Sequence, residues 1–500
     1  MPEFILQGPA LLAAVLCVLA AAWFAFKQKR SPTLPPGPPT KPIIGNLGQL
    51  LGRTGKDRYR SLARAVNQYG KNGMATIYFG SRPLIFITNL DTIKIVLHSN
   101  EMLGKPLTVR DEFFHRKGLI LTDGDDAWKE QRRFALSTLR DFGMGKTWLQ
   151  DLIIEEAQEL VEDFKNADGK PFDPVQCLTP SVCNVIAAIS YGQRFSHKDE
   201  KFSRLALLIS ENQEIQSKNL AVEFFPFLRY VPFSAFRARH LAWWKNIGDL
   251  TAFFGKLMEE HHESLREGEP PRDYLHAFMV EAAKQKDNSN TTFTDDQLLR
   301  SVLNLFSAGT ETTATTLAWA ILYMLDYPAV FDRVQKEIDS VVGNGRYATL
   351  EVKDRLPYTQ ATIMEVQRLA NLVSIVARRT LTDVTLDGFK IPAGIGIAAL
   401  SSAVHEDARF FPDPLAFKPE RFLDQSGKLR SKVEGFIPFS IGKRFCIGES
   451  LAKMELYIFF TSLVKNFQFR IPSGETVDSN DAVWSAISSP KPFKAIFEAR

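Results

Sequence analysis

Over most of this chain the apolar residues recur at helical spacing. The pattern holds from Ala127 to about Lys284 and again from Thr294 to Leu372, which predicts long amphipathic helices. Two short stretches break it. Met74–Gly80 and Leu84–Thr88, joined through Ser81-Arg-Pro83, predict a β-hairpin, and Val384–Ala398, with turns at Asp387-Gly388 and Ala393-Gly394, predicts a second small sheet. Thr294-Asp-Asp-Gln297 has the spacing of a capping box and opens a helix that can run to Asp326, just before Pro328. Such a helix of ~32 residues spans about 48 Å, enough to cross a whole domain. Residues from Gly448 to about Lys465 predict another helix. No repeat period is present, and no second linker follows residue 40. The pattern therefore predicts one large, mainly α domain with small β-sheets over residues 41–500, although the length alone would suggest about three domains.

The N-terminus is of another kind. Phe4 to Phe26 carries no charge over 23 positions and is followed at once by Lys27, Lys29 and Arg30, with only Glu3 charged before it. That length crosses a bilayer, and the flanking charges keep the rest of the chain in the cytosol. A cleaved signal peptide is the alternative, with a small-residue site at Ala20-Ala-Ala22, but a basic leader is missing and the apolar run is long for one. Residues 1–30 are thus expected to be a signal-anchor helix, and the proline-rich residues 31–40 a stiff hinge. Net charge is only +4 on 500 residues, with 45% hydrophobic and 24% charged. This composition is globular and gives no ground for general nucleic-acid binding. The four cysteines, Cys17, Cys177, Cys183 and Cys446, form neither a disulfide framework nor a zinc spacing.

Candidate chemistry concentrates at Phe439-Ser-Ile-Gly442-Lys-Arg444-Phe-Cys446-Ile-Gly448. One cysteine sits there in a loop between two glycines, directly before a helix whose N-terminal end favours a thiolate. The glycines allow unusual dihedrals and close approach of a flat cofactor, and Arg444 is placed to pair with an acidic group on it. A thiolate on haem iron pushes electron density onto the metal. Midway along the long predicted helix lies Ala308-Gly309-Thr310-Glu311-Thr312-Thr313. Gly309 removes bulk where a flat ligand approaches, the threonine hydroxyls loosen the helical ladder, and Glu311 with Thr312 supplies an acid and a hydroxyl.

Together these runs resemble the cytochrome P-450 superfamily, the haem-thiolate monooxygenases, over about Leu34 to the C-terminus and most closely its animal microsomal drug- and fatty-acid-oxidising family. The resemblance implies haem b lying between a long kinked central helix and the helix after the cysteine loop, with Cys446 as the axial metal ligand. It makes Thr312 and Glu311 the proton-delivering pair. Trp128 and Arg132, in Trp128-Lys-Glu-Gln-Arg132, become contacts to the haem propionates, as do Arg378 and Lys105. Ala377-Arg378 departs from the common Pro-His, and Lys105 stands where close relatives often carry arginine. Glu365-Val-Gln-Arg368 and Arg421 match the family's structural Glu-Arg-Arg core. Small residues at Ser307, Ala308 and Ala486 suggest room above the haem, walled by residues 105–118, 207–237, 301–308, 372–377 and 483–487.

The implied reaction inserts one atom of O2 into a lipophilic substrate, by hydroxylation or epoxidation, at the endoplasmic reticulum membrane. Gly394-Ile-Gly396-Ile-Ala-Ala399 opens no helix, and Gly145-Lys146-Thr147 lacks the first glycine of a phosphate loop, so the chain offers no flavin or nicotinamide site. Electrons must come from NADPH-cytochrome P-450 reductase, with a microsomal b-type cytochrome as a further partner, docking on a basic face at Lys129, Arg133, Arg140, Lys146 and Lys443. The aromatic run Glu223–Phe233 is expected either to be a buried loop or to dip into lipid. Two other classes of function remain open at this stage. One is a haem-thiolate isomerase or dehydratase of peroxides. The other is a non-catalytic haem or lipid carrier.

Overall fold

A computed structural model of the protein describes residues 31–41, 44–49, 55–143, 147–264, 266, 268–343, 345, 347–484 and 487–500. The expected membrane anchor at 1–30 lies outside the described residues, as do Lys146 and Ala486. Helices of nine or more residues are α1 (Asp57–Tyr69), α2 (Leu90–His98), α3 (Asp126–Asp141), α4 (Thr147–Asn166), α5 (Val175–Tyr191) and α6 (Glu200–Lys218). They continue as α7 (Ala235–Ser264), α8 (Tyr274–Lys284), α9 (Asp295–Asp326), α10 (Pro328–Val342), α11 (Pro357–Ala370) and α12 (Glu449–Asn466).

The centre of the fold is α9, an unbroken helix of 32 residues that ends before Pro328 as its sequence predicts. Thr294 caps it, its hydroxyl accepting from the Gln297 N–H at 3.2 Å. The reciprocal half of the capping box does not form. Instead the Gln297 side chain accepts from the Gly118 N–H (3.0 Å) and donates to the Gly118 carbonyl (3.3 Å), tying a distant loop to the helix. From Thr316 to Leu325 every side chain of α9 is buried, against α5, α10, α11 and α12. A helix buried all round belongs at the middle of a helical body.

Strands β1 (Met74–Phe79) and β2 (Arg82–Ile87) form the expected antiparallel hairpin, with Met74 opposite Ile87. The second sheet differs from expectation. Strands β4 (Val384–Leu386) and β5 (Phe389–Ile391) pair only with each other, whereas β6 (Gly396–Ala399) lies parallel to β2 and beside β3 (Val376–Arg379), giving the order β1-β2-β6-β3. Small residues explain the placement: β6 is wholly buried, and a Cβ on Gly396 would stand 2.3 Å from the Leu84 side chain. Segment 31–40 lies along β1, where the Thr76 N–H donates to the Pro36 carbonyl at 3.1 Å. Gly37 is obligatory there, since a Cβ would lie 1.9 Å from the Thr76 carbonyl oxygen.

A buried ion triad locks α11 to the segment preceding the cysteine loop. Both oxygens of Glu365 are engaged by Arg368, at 2.7 and 2.8 Å, and Arg421 donates a further bond at 2.9 Å. Arg368 also donates to the carbonyls of His405 and Pro414, each at 2.7 Å. Glu365 and Arg368 are completely buried. Removing one member of such a set strands the others without solvent. Glu365→Ala is therefore expected to cost about 3–5 kcal/mol, read as a lowered urea midpoint; an unchanged midpoint would remove the triad's architectural role.

Candidate active site

A cavity of about 360 Å³ lies between the middle of α9, the start of α12 and the loop before it. Seven of the eight residues singled out from the sequence line it: Cys446 and Arg444 on the loop, Thr312 on α9, Trp128 and Arg132 on α3, and Lys105 and Arg378 beside the sheet. Glu311 is not on its wall.

The loop is held from both ends. Gly442 has φ +76, and a Cβ there would stand 2.0 Å from the Leu97 carbonyl oxygen at the end of α2, so only glycine docks at that position. Gly448 is different from expectation: its φ of −88° is ordinary, and a Cβ there would meet only open space. The Cys446 N–H donates to the Phe439 carbonyl at 2.9 Å, closing the turn that presents the sulfur. Burial pushes the Cys446 thiol up from its ordinary value; the Gly448 N–H and Arg132 pull it down, and Glu449 in the first turn of α12 opposes them. The helix end alone therefore does not make the thiolate. A metal cation on the sulfur would.

Four cations face the same space. Arg378 is 1% exposed, and its Nη1 donates to the Ala377 carbonyl while Nε and Nη2 have no partner. Arg444 stacks over the Trp128 ring at 4.1 Å and donates to the carbonyls of Leu103 (2.9 Å) and Thr122 (2.5 Å). Arg132 reaches the Phe445 carbonyl at 2.6 Å, and the Lys105 ammonium reaches Ala377 at 3.5 Å. Among the described residues no carboxylate is hydrogen-bonded to them: nearby Asp123 is bound to Arg116 and Arg379 and pulls on Arg444 only through space. Burial, then mutual repulsion, brings Arg378 down to about 10 and Arg444 to about 9, and holds Lys105 well below the usual lysine range. The expected indole contact is altered, because the Trp128 N–H donates to the Leu119 carbonyl at 3.1 Å. Trp128 acts here as a platform for two guanidinium groups. The orphaned Arg378 nitrogens, the unanswered cations and the open face at Gly448 fit a flat ligand that carries acidic groups.

On the opposite wall, the Thr312 hydroxyl donates to the Ala308 carbonyl at 2.8 Å, leaving its lone pairs to the cavity, and the Thr316 hydroxyl donates to the Thr312 carbonyl at 2.7 Å. Gly309 lines the cavity, but the space its missing side chain leaves is taken by Ile186 of α5, which a Cβ would meet at 2.4 Å. It serves helix packing as much as ligand approach. Glu311, about 100° further round the helix, faces Gln213 of α6; burial pushes its carboxyl up to about 8, against the pull of Gln213.

Family membership follows from comparison with known proteins. The cytochrome P450 family model matches residues 35–497. The chain belongs to that family. Rat cytochrome P450 2J3 is 39% identical over 472 residues, covering 92% of this chain and 91% of that protein. Human cytochrome P450 2J2 is 37% identical over 93% of this chain and 91% of that protein, and rabbit cytochrome P450 2B4 is 37% identical over 92% and 93%. The chain is accordingly a P450 monooxygenase, and its family implies a haem-thiolate cofactor.

Three site features of this P450 escaped the sequence analysis. Asn304 of α9 accepts from the N–H groups of Leu119 (2.8 Å) and Ile120 (3.1 Å), fixing the loop that roofs the cavity. Ile189 and Ser190 of α5 also line the wall, whereas none of residues 207–237 does so among the described residues. The third is Glu455 on α12, an acid inside the apolar run Met454–Val464, nine positions after Cys446; that misplaced charge was the available signal. On the outer face Lys129, Arg133, Arg140 and Lys443 are exposed, Lys129 beside Asp126.

The raised carboxyl of Glu311 sets a pH dependence. Between 4.5, its ordinary value, and about 8 the unfolded chain releases a proton that the folded chain keeps. Stability therefore falls as pH rises through that window, by up to about 1.4 kcal/mol per pH unit, and levels off above it. Glu311→Gln is expected to remove this share of the slope in urea midpoints taken from about pH 5 to pH 8. An unaltered slope would show that Glu311 ionises freely.

Proposed function

We propose that this P450 binds haem b with the Cys446 thiolate as axial ligand and the haem carboxylates held by Lys105, Arg132, Arg378 and Arg444. The single observation that carries the assignment is a cysteine sharing one cavity with four cations to which, among the described residues, no carboxylate is bonded. When bound, such a haem supplies reductive activation of O2, assisted by thiolate donation. The chain's own part is to exclude water with an apolar wall, to hold the cofactor's acidic groups, and to keep hydroxyl and acid groups ready for proton transfer. Thr312 is the proton-relay hydroxyl at the cavity, and Glu311 is the acid that supplies it from the α6 side.

The substrate is a lipophilic molecule that undergoes hydroxylation or epoxidation. Exposed Phe227, Tyr230 and Phe233, at 61%, 67% and 107%, support the reading of segment 226–233 as an apolar lip in the endoplasmic reticulum membrane, anchored through residues 1–30. The exposed cations of α3 and Lys443 favour an acidic electron donor, namely NADPH-cytochrome P-450 reductase, with a microsomal b-type cytochrome as a second one. The acid-threonine pair argues against a peroxide isomerase, which needs no reductase.

The test is the carbon-monoxide difference spectrum of the reduced, purified protein. The wild type is expected to give a strongly red-shifted Soret band, and Cys446→Ser to lose it while still binding haem. A haem-loaded wild type without that band would overturn the ligand assignment and favour a carrier.

A further inference from the structure

His405 ends the short helix Ser401–His405, is 2% exposed, and stands on the wall of the cavity that holds Cys446. Both of its ring nitrogens are bonded, Nδ1 to the Asn371 side-chain oxygen at 2.8 Å and Nε2 to the Ile437 N–H at 3.0 Å. A backbone N–H can only donate, so Nε2 is the acceptor and Nδ1 carries the proton. With its oxygen taken, the Asn371 amide donates to the Tyr59 hydroxyl of α1 at 3.4 Å. Tyr59 donates in turn to Glu406 at 2.8 Å, and Arg60 holds both Glu406 oxygens at 2.9 Å. The bonds all run one way, from the Ile437 N–H out to a carboxylate near the surface. An imidazole suits the middle of such a chain, since it offers a donor and an acceptor on two different edges.

Ile437 begins a stretch of loop that needs holding. Its carbonyl accepts from the Ser440 N–H at 3.0 Å, and the Phe439 carbonyl accepts from the Cys446 N–H at 2.9 Å. Ser440 has φ +61, a left-handed conformation that is unfavourable for a side chain with a Cβ and persists where the surroundings impose it. Gly442, docked on Leu97, fixes the chain on one side of Ser440. The His405 ring anchors it on the other.

We propose that His405 is a positioning residue for the cysteine ligand: the acceptor at its Nε2 fixes Ile437, and through the Phe439 turn it sets the place of the Cys446 sulfur. The proposal rests on the assignment of Cys446 as axial ligand and adds a residue outside the loop on which that bond depends. A loop released at Ile437 is free to relax Ser440 out of its left-handed conformation, and the sulfur moves with it.

Two variants of the haem-loaded full chain separate the acceptor from the packing. His405→Gln places an amide oxygen near the Nε2 position, keeping the acceptor for Ile437 and losing the donor to Asn371. His405→Asn places an amide nitrogen near Nδ1, keeping the donor and losing the acceptor. His405→Asn is expected to lose most of the red-shifted carbon-monoxide band, and His405→Gln to keep it. Hydrogen–deuterium exchange of the segment 437–446 is expected to quicken roughly tenfold in His405→Asn, as for one lost buried hydrogen bond, and to stay near wild type in His405→Gln. A role in packing alone would lower the urea midpoint of both variants and leave their band and exchange as in wild type, which would overturn the proposal. Loss of the band in both variants alike would also overturn it, moving the role from Nε2 to Nδ1. A haem-loaded wild type without the band would sink the Cys446 assignment instead, and the exchange rates would still decide whether His405 holds the loop.

Discussion

The buried carboxylate of Glu365 is the constraint on which the rest of the site depends. Two arginines reach it in a space from which water is excluded, and their remaining N–H groups bind carbonyls of a segment with no regular structure of its own. Through the His405 carbonyl the triad also fixes a neutral imidazole. The His405 ring bonds Asn371 at 2.8 Å on one side and accepts from the Ile437 N–H at 3.0 Å on the other, and burial beside Arg368 pushes its protonation down to about 3. Ile437 stands two residues before Phe439, whose carbonyl closes the Cys446 turn. An irregular segment is thereby given a single geometry by charge-assisted bonds, and the position of the sulfur is inherited from α11.

The opposite logic governs the cations. Where Glu365 is answered twice, Arg378 and its neighbours are answered by carbonyls alone, and they repel one another in a medium that screens poorly. Such a cluster is stable only if an anion completes it. An acidic cofactor bound by the folded chain and not by the unfolded one would stabilise the fold by mass action. Burial and the neighbouring guanidinium groups hold the Lys105 ammonium well below the usual lysine range, a response open to a lysine and not to an arginine.

Much of this was legible in the sequence, and the limits have physical causes. The extent of α9, its cap at Thr294, the β1–β2 hairpin and the α12 start all followed from local signals: periodicity, a capping threonine, turn residues and an apolar run. The pairing of β6 with β2 did not, because parallel pairing across some three hundred residues leaves no local trace; only the small side chains at Gly396 and Ala398 bore on it. The cysteine loop with Arg444 was found because its residue types are unusual in their surroundings, whereas Arg378 and Lys105 carry no local signal and were placed by the family resemblance alone. Their geometry was less legible. Gly309 packs against Ile186, and Gly448 keeps an open face but an ordinary conformation, since a glycine in a sequence does not say which neighbour it makes room for.

The cavity is asymmetric in a way that follows from these constraints. Cations and the cysteine come from the loop, the sheet edge and α3, whereas hydroxyls and neutral acids come from α9 and its contact with α12. Fixed positive charge draws a ligand's acidic groups to its own side. Glu311 and Glu455 are acids beside the middle of the central helix, and on each burial acts against a single neutral hydrogen-bond partner. Burial without a cation favours the protonated form of a carboxyl, whereas pairing with arginine favours the ionised one. The placement of the arginines thus decides where a buried carboxyl is answered by a cation, as Glu365 is, and where burial alone acts on it, as at Glu311 and Glu455.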